Sequence, residues 1–221
     1  MSTDIPDIES EITLEQQVAL KVAATRLADE FAGTFNRETI ERFLGSSYDQ
    51  FAGTATMMNF LPLLAERFAR QRLHAMAKVE GHGEDGKPVV LFLCVHNAGR
   101  SQMALGFFNH YAGHDAVAWS GGSEPGDEVN RSAIAAMAEK GIDIAQEYPK
   151  PWTDEIVRAA DVVITMGCGD ACPYFPGKRY LDWELDDPAG KDVTSVRPIR
   201  DEIERRVLAL LDELRVPVVG R

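Results

Sequence analysis

The chain has 221 residues, 45% of them hydrophobic, and a formal net charge of -12. That length suits one large domain or two small ones, and the apolar share excludes disorder of the whole chain. The negative balance argues against a nucleic-acid or anionic-membrane partner, either of which needs a basic surface, but not against a small anion that reads the local field of its pocket. No apolar run approaches the length of a membrane span, and Met1–Glu11 is too acidic and polar for a signal peptide. A cytoplasmic location is expected. Structural disulfides are rare there, so three cysteines point to reactivity rather than stapling, although a free cysteine is more often a small buried hydrophobe.

Residues 1–12 read as a flexible tail. Thr13 and Gln16 then form a Thr-x-x-Gln capping box ahead of a helical run. Leu20, Ala24, Leu27 and Phe31 repeat at helical spacing, and Gly33 ends the run. A second helix fits from about Arg37, with Ile40, Phe43, Leu44, Tyr48 and Phe51 on one side and Gly53 as its breaker. A third fits from about Phe60 to Ala77, with Pro62 tolerated in its first turn and Leu61, Leu64, Ala65 and Phe68 inward. Residues 13–80 are therefore expected to form a small three-helix domain. The glycine-rich, charged stretch at 81–87 reads as a linker.

The style changes at residue 88. Val89–Leu93 suits a strand buried on both faces. A helix is expected from about Gln102 to Tyr111, a strand over Val117–Ser120, and a helix from Val129 to Lys140 closed by Gly141. Asp154–Ala160 reads as helix, Val162–Met166 as a third buried strand, Arg179–Leu181 as a short fourth, and Ser195–Leu214 as a long final helix. Alternation of this kind predicts an α/β fold over 88–221: a parallel four-stranded sheet flanked by helices, with its site beyond the C-terminal strand ends.

The first strand runs into Cys94-Val95-His96-Asn97-Ala98-Gly99-Arg100-Ser101. The spacing Cys-x5-Arg-Ser between strand and helix has a chemical reason. Five residues let the backbone curl so that successive N–H groups converge on one tetrahedral anion, and the following helix adds its positive end. Arg100 offers two parallel donors to two oxygens. Cys94 sits within these donors, which favours its thiolate. Gly99 permits close approach, Asn97 can hold the curl through backbone groups, and Ser101 can donate to the sulfur. His96 is expected to face solvent, since the backbone does the binding.

This loop resembles that of the low-molecular-weight protein tyrosine phosphatase fold, and within it the arsenate reductases. The likeness covers about residues 88–214. Cys94, Asn97, Arg100 and Ser101 match the family loop, and Gln102-Met103-Ala104 continues its arsenate reductase version. A second block is Leu185-Asp186-Asp187-Pro188-Ala189-Gly190-Lys191, in which the resemblance makes Asp187 the general acid that protonates the departing oxygen. The phosphatase branch carries a tyrosine after Asp-Pro to stack on its substrate; here Ala189 stands there.

Cys168 and Cys172 follow the third buried strand. A phosphatase needs no second thiol, whereas a reductase must deliver two electrons, which a thiol pair supplies as a disulfide. The pair is otherwise half of a metal site, with no further Cys and no nearby His to complete it, or two inert core cysteines. The arrangement is similar to that of three-cysteine, thioredoxin-coupled arsenate reductases. The resemblance implies a relay from Cys94 to Cys168 to Cys172, reduced by thioredoxin, with mobility from Gly167 and Gly169 and no tightly bound cofactor. Mycothiol and mycoredoxin are the alternative donors, and a phosphatase is the alternative activity. Relatives with an acidic residue four positions after the loop serine hold potassium; Leu105 occupies that position, so no metal is expected. Trp152, Tyr174 and Trp183 are candidate walls of the site, although aromatic residues in such places are usually packing. The small helical unit is expected to pair with a second copy, giving a homodimer.

Overall fold

The computed structural model of the chain describes residues 12–52, 60–82, 86–167 and 174–219. Most of the tail, Gly53, part of the 81–87 stretch, Cys168, Gly169 and Cys172 lie outside those residues. The chain divides into two compact units, Met1–Leu73 and His74–Arg221, so the division falls ahead of the glycine-rich stretch.

The first unit is helical. Helix α1 (Leu14–Glu30) opens on the expected capping box: the Thr13 hydroxyl accepts the Gln16 N–H at 3.2 Å, and Gln16 Oε1 accepts the Thr13 N–H at 3.0 Å. Helix α2 (Arg37–Ala52) starts after Asn36, whose side chain accepts the Thr39 N–H at 2.8 Å. Helix α3 (Leu61–Val79) begins in this unit. Leu27, Ile40, Leu61, Phe68 and Leu73 are fully buried, and Phe51 meets Phe68 edge-on at 5.6 Å. A buried carboxylate, Glu66, is held by Arg26 and Arg70, and Arg70 also reaches Glu30.

The second unit carries strands β1 (Val89–Cys94), β2 (Val117–Gly122), β3 (Val162–Met166) and β4 (Arg179–Asp182), all parallel in the order β2-β1-β3-β4. Helices α4 (Arg100–Ala112), α5 (Arg131–Ala138) and α7 (Val193–Glu213) share one core with Val90, Phe92 and Cys94, which strand alternation puts on a single face. Helix α6 (Asp154–Ala159) also contacts β1. Phe92, Met103, Phe107, Phe108 and Met137 are wholly buried there. Removing any one to alanine would cost about 2–5 kcal/mol.

Two boundaries differ from expectation in a way that matters. Helix α4 starts at Arg100, two residues early, so Arg100 and Ser101 belong to its first turn; the Met103 N–H already bonds to Gly99 O at 2.9 Å. Helix α5 starts late, at Arg131, because the Asn130 side chain accepts the Ala133 N–H at 2.9 Å and caps it. Of the three aromatic candidates, Trp183 follows the packing reading: it is 7% exposed and lies 5.9 Å from Phe92.

Candidate active site

Cys94 is the last residue of β1 and is buried, with Gly122 of β2 and Met166 of β3 as register partners on either side. It stands at the C-terminal edge of the sheet, where the chain leaves β1 for α4. The loop that follows is shaped from outside. The carbonyls of Val95, His96 and Ala98 accept the N–H groups of Glu124, Gly126 and Asn130 at 2.9, 2.9 and 2.8 Å. Gln102 Nε2 donates to Asn97 O at 2.9 Å. Each peptide N–H points opposite to its carbonyl, so carbonyls bonded on one side leave the loop's amides available on the other. Gly99 caps α4 without a side chain, so the first-turn amides join them.

Asn97 holds the curl. Its φ of 47° lies in the left-handed region that asparagine tolerates. Its Oδ1 accepts the Lys150 backbone N–H at 3.0 Å and Gln102 Nε2 at 3.1 Å, which fixes the amide orientation. Asn97 Nδ2 therefore donates to Ser101 Oγ at 2.8 Å, and Ser101 Oγ lies 3.0 Å from Cys94 Sγ with its own proton free for the sulfur. His96 is exposed, as expected, its Nδ1 3.0 Å from Glu124 O.

Arg100 is buried, and its Nη2 donates to Asp187 Oδ2 at 2.8 Å. Nη1 reaches Leu185 O at 3.4 Å and lies against Gly167, where a Cβ would stand 2.9 Å from it. Gly167 has a φ of +74°, so its lack of a side chain makes room for the guanidinium. Asp187 is half-exposed, and its Oδ1 accepts the Ala189 N–H at 2.9 Å. Beyond it, Asp192 caps α7; hydrogen bonds from Ser195 hold its carboxyl below the usual range. A cavity of about 40 Å³ is lined by Cys94, Arg100, Asn130, Asp187, Pro188 and Ala189, among others. A buried thiol, a guanidinium and a carboxyl thus converge on one small space.

Residues 89–218, more than half of the chain, match the family model described as low molecular weight phosphotyrosine protein phosphatase. The chain belongs to that family. Residues 20–77 match the model of a protein-tyrosine-phosphatase-like N-terminal domain. A solved Corynebacterium glutamicum protein, described as a thioredoxin-dependent arsenate reductase, is 44% identical, with a TM-score of 0.80 over 90% of this chain and 98% of that one. A putative arsenate reductase of Halobacterium salinarum is 38% identical over 55% of this chain and 89% of its own length. An arsenate reductase of Halalkalibacterium halodurans is 39% identical over 55% of this chain and 93% of its own.

Within this member of the family, Ala189 lies at the cavity with Pro188, and Leu105 is buried in α4. Among the described residues no group of three His, Cys, Asp or Glu side chains is placed to hold a metal ion, and no helix is long and apolar enough to cross a membrane. Sequence reasoning missed Asn130, Lys150 and Gly122. Lys150 is buried behind the loop, its ammonium 3.4 Å from Tyr148 O and 4.6 Å from the centre of that ring. A Cβ on Gly122 would lie 2.5 Å from Val95 O and 3.0 Å from Asn97 N. The one available signal was Asn130, an N-cap residue type just ahead of an apolar helical run.

Proposed function

We propose that the chain is an arsenate reductase working through Cys94, Asp187, Cys168 and Cys172, with thioredoxin as its reductant. The observation that carries this is its 44% identity over 98% of the thioredoxin-dependent arsenate reductase of Corynebacterium glutamicum, together with a thiol buried 3.0 Å from a serine hydroxyl at the mouth of an amide-lined loop.

Arsenate enters as a tetrahedral anion held by the amides of 95–101 and by Arg100. The Cys94 thiolate forms a bond to arsenic while one As–O bond breaks, and Asp187 gives its proton to the departing oxygen, which leaves as water. Cys168 then attacks the Cys94 sulfur. The S–As electron pair passes to arsenic, arsenic falls from the +5 to the +3 state, and arsenite departs, leaving a Cys94–Cys168 disulfide. Cys172 attacks Cys168 and frees Cys94. The resulting Cys168–Cys172 disulfide is reduced by the dithiol of thioredoxin. Supporting this order, Met166 pairs in register with Cys94, and Cys168 follows two residues later in the chain. The enzyme acts in the cytoplasm in arsenic detoxification, as a homodimer through its N-terminal helices; Leu14, Val18 and Val22, exposed at four-residue spacing on α1, support that pairing.

The test is NADPH consumption with arsenate, thioredoxin and thioredoxin reductase, for wild type and Cys172→Ser. Turnover that collapses in the variant is expected. Turnover only with mycothiol and mycoredoxin would keep arsenate and sink the relay; inactivity with both donors would sink the reductase reading.

A further inference from the structure

We propose that the first turn of α5, through Asn130 and Ser132, is a clamp that sets the position of Asp187 over the oxyanion loop. This rests on Asp187 acting as the acid.

Asp187 lies in an irregular stretch between β4 and α7, and its side chain is 49% exposed. Its ion pair with the buried Arg100 and the Ala189 N–H on Oδ1 orient the carboxyl itself. The backbone that follows it is fastened to α5 as well. Ser132 Oγ donates to Lys191 O at 2.8 Å. Asn130 Nδ2 donates to Pro188 O at 3.4 Å, and the Lys191 N–H closes onto the same carbonyl at 3.1 Å. The amide of Asn130 faces Pro188 because its Oδ1 is occupied by the Ala133 N–H at 2.9 Å.

Asn130 touches both halves of the site. Its backbone N–H holds Ala98 O at 2.8 Å, so the residue that shapes the oxyanion loop also reaches the acid loop. Pro188 is gripped from two sides. Its carbonyl points at Asn130, and its ring rests on Gly99, where an added Cβ would stand 2.5 Å from Pro188 Cγ. Asp187 immediately precedes this gripped proline and has little freedom to drift. A displacement of about 1 Å of an acid from its proton acceptor costs up to about a hundredfold in rate, so such a grip has kinetic weight. Asn130 and Ser132 are positioning residues here; Asp187 makes the proton transfer.

The variants are Asn130→Ser, which keeps a capping oxygen for α5 but is too short for Pro188 O, Ser132→Ala, and the pair, each with and without Asp187→Asn. Ser132→Thr retains the hydroxyl and serves as rescue. For the paired variant the expected result is a kcat for arsenate about tenfold lower, KM within about twofold, and no further loss in the Asp187→Asn background. Hydrogen exchange of residues 186–191 is expected to quicken in the paired variant and in Ser132→Ala alone, whether or not arsenate turns over. Unchanged exchange would overturn the clamp. So would losses that multiply in the Asp187→Asn background, which mark a general structural defect. If Asp187→Asn alone keeps the wild-type kcat, the acid assignment itself fails and the clamp has no catalytic role.

Discussion

Ser101 Oγ is 3.0 Å from Cys94 Sγ and at the same time accepts the Asn97 amide at 2.8 Å. Asn97 donates to one lone pair of the serine oxygen and leaves the serine proton available, so a Cys94 thiolate, which can only accept, receives it. A hydrogen bond to an ionised partner is worth about 1.5–3 kcal/mol. Ser101→Ala should therefore slow alkylation of Cys94 by iodoacetamide at pH 7 roughly tenfold, since about 1.4 kcal/mol is one decade. Asn97→Ala should do the same and also loosen the loop. A wild-type alkylation rate in Ser101→Ala would show that the loop amides suffice.

Gly122 tests how rigidly β2 backs the loop. An alanine there meets backbone atoms of Val95 and Asn97, neither of which can rotate away. Gly122→Ala should destabilise the protein by about 1–3 kcal/mol and reduce arsenate turnover by more than its stability loss explains. Gly141 has a φ of +75° and open space around it, so Gly141→Ala should lower the melting temperature without affecting turnover of the folded fraction. Melting curves beside single-turnover rates separate the two effects.

Arg100 bridges Leu185 O and Asp187 with two different nitrogens. Lysine keeps the charge but not the fork. Arg100→Lys should lower kcat/KM for arsenate about a hundredfold, mostly in kcat if the fork strengthens on the transition state. A loss confined to KM would instead make Arg100 a simple anion anchor.

Acid stability should depend on the ion pairs that α7 makes with the end of α5 and within itself. Arg197 first, and then the buried Arg200, hold the Glu139 carboxyl at about 2. A carboxylate depressed on folding contributes stability that is present in full above its unfolded value of roughly 4.3 and is lost as pH falls toward 2. Arg205 and Arg206 do the same for Glu202, also at about 2. Thermal melts between pH 6 and 2 should show a shallower acid limb for Glu139→Gln than for wild type, and shallower still with Glu202→Gln added. Parallel acid limbs in all three proteins would place the acid sensitivity elsewhere.

What could be read in the residues themselves was local. The Thr13–Gln16 box spans one turn, Val162–Met166 announces itself by continuous apolar character, and Cys-x5-Arg-Ser needs only eight consecutive residues to define an anion loop. Each depends on hydrogen bonds or periodicity within a few positions, so composition and spacing suffice to show it. The partners that complete the site are distant in the chain. Asn97 meets Lys150 across 53 residues, Asn130 meets Pro188 across 58, and Arg100 meets Asp187 across 87. Nothing in the neighbourhood of Lys150 or Gly122 marks either as support for a loop elsewhere. Their roles arise only once parallel pairing sets Gly122 beside Cys94 and packing brings the 148–150 backbone under Asn97. The anion loop was determined by the residues within it; its support was decided by which strands lie side by side, and the placement of Asp187 by which helices pack against its stretch.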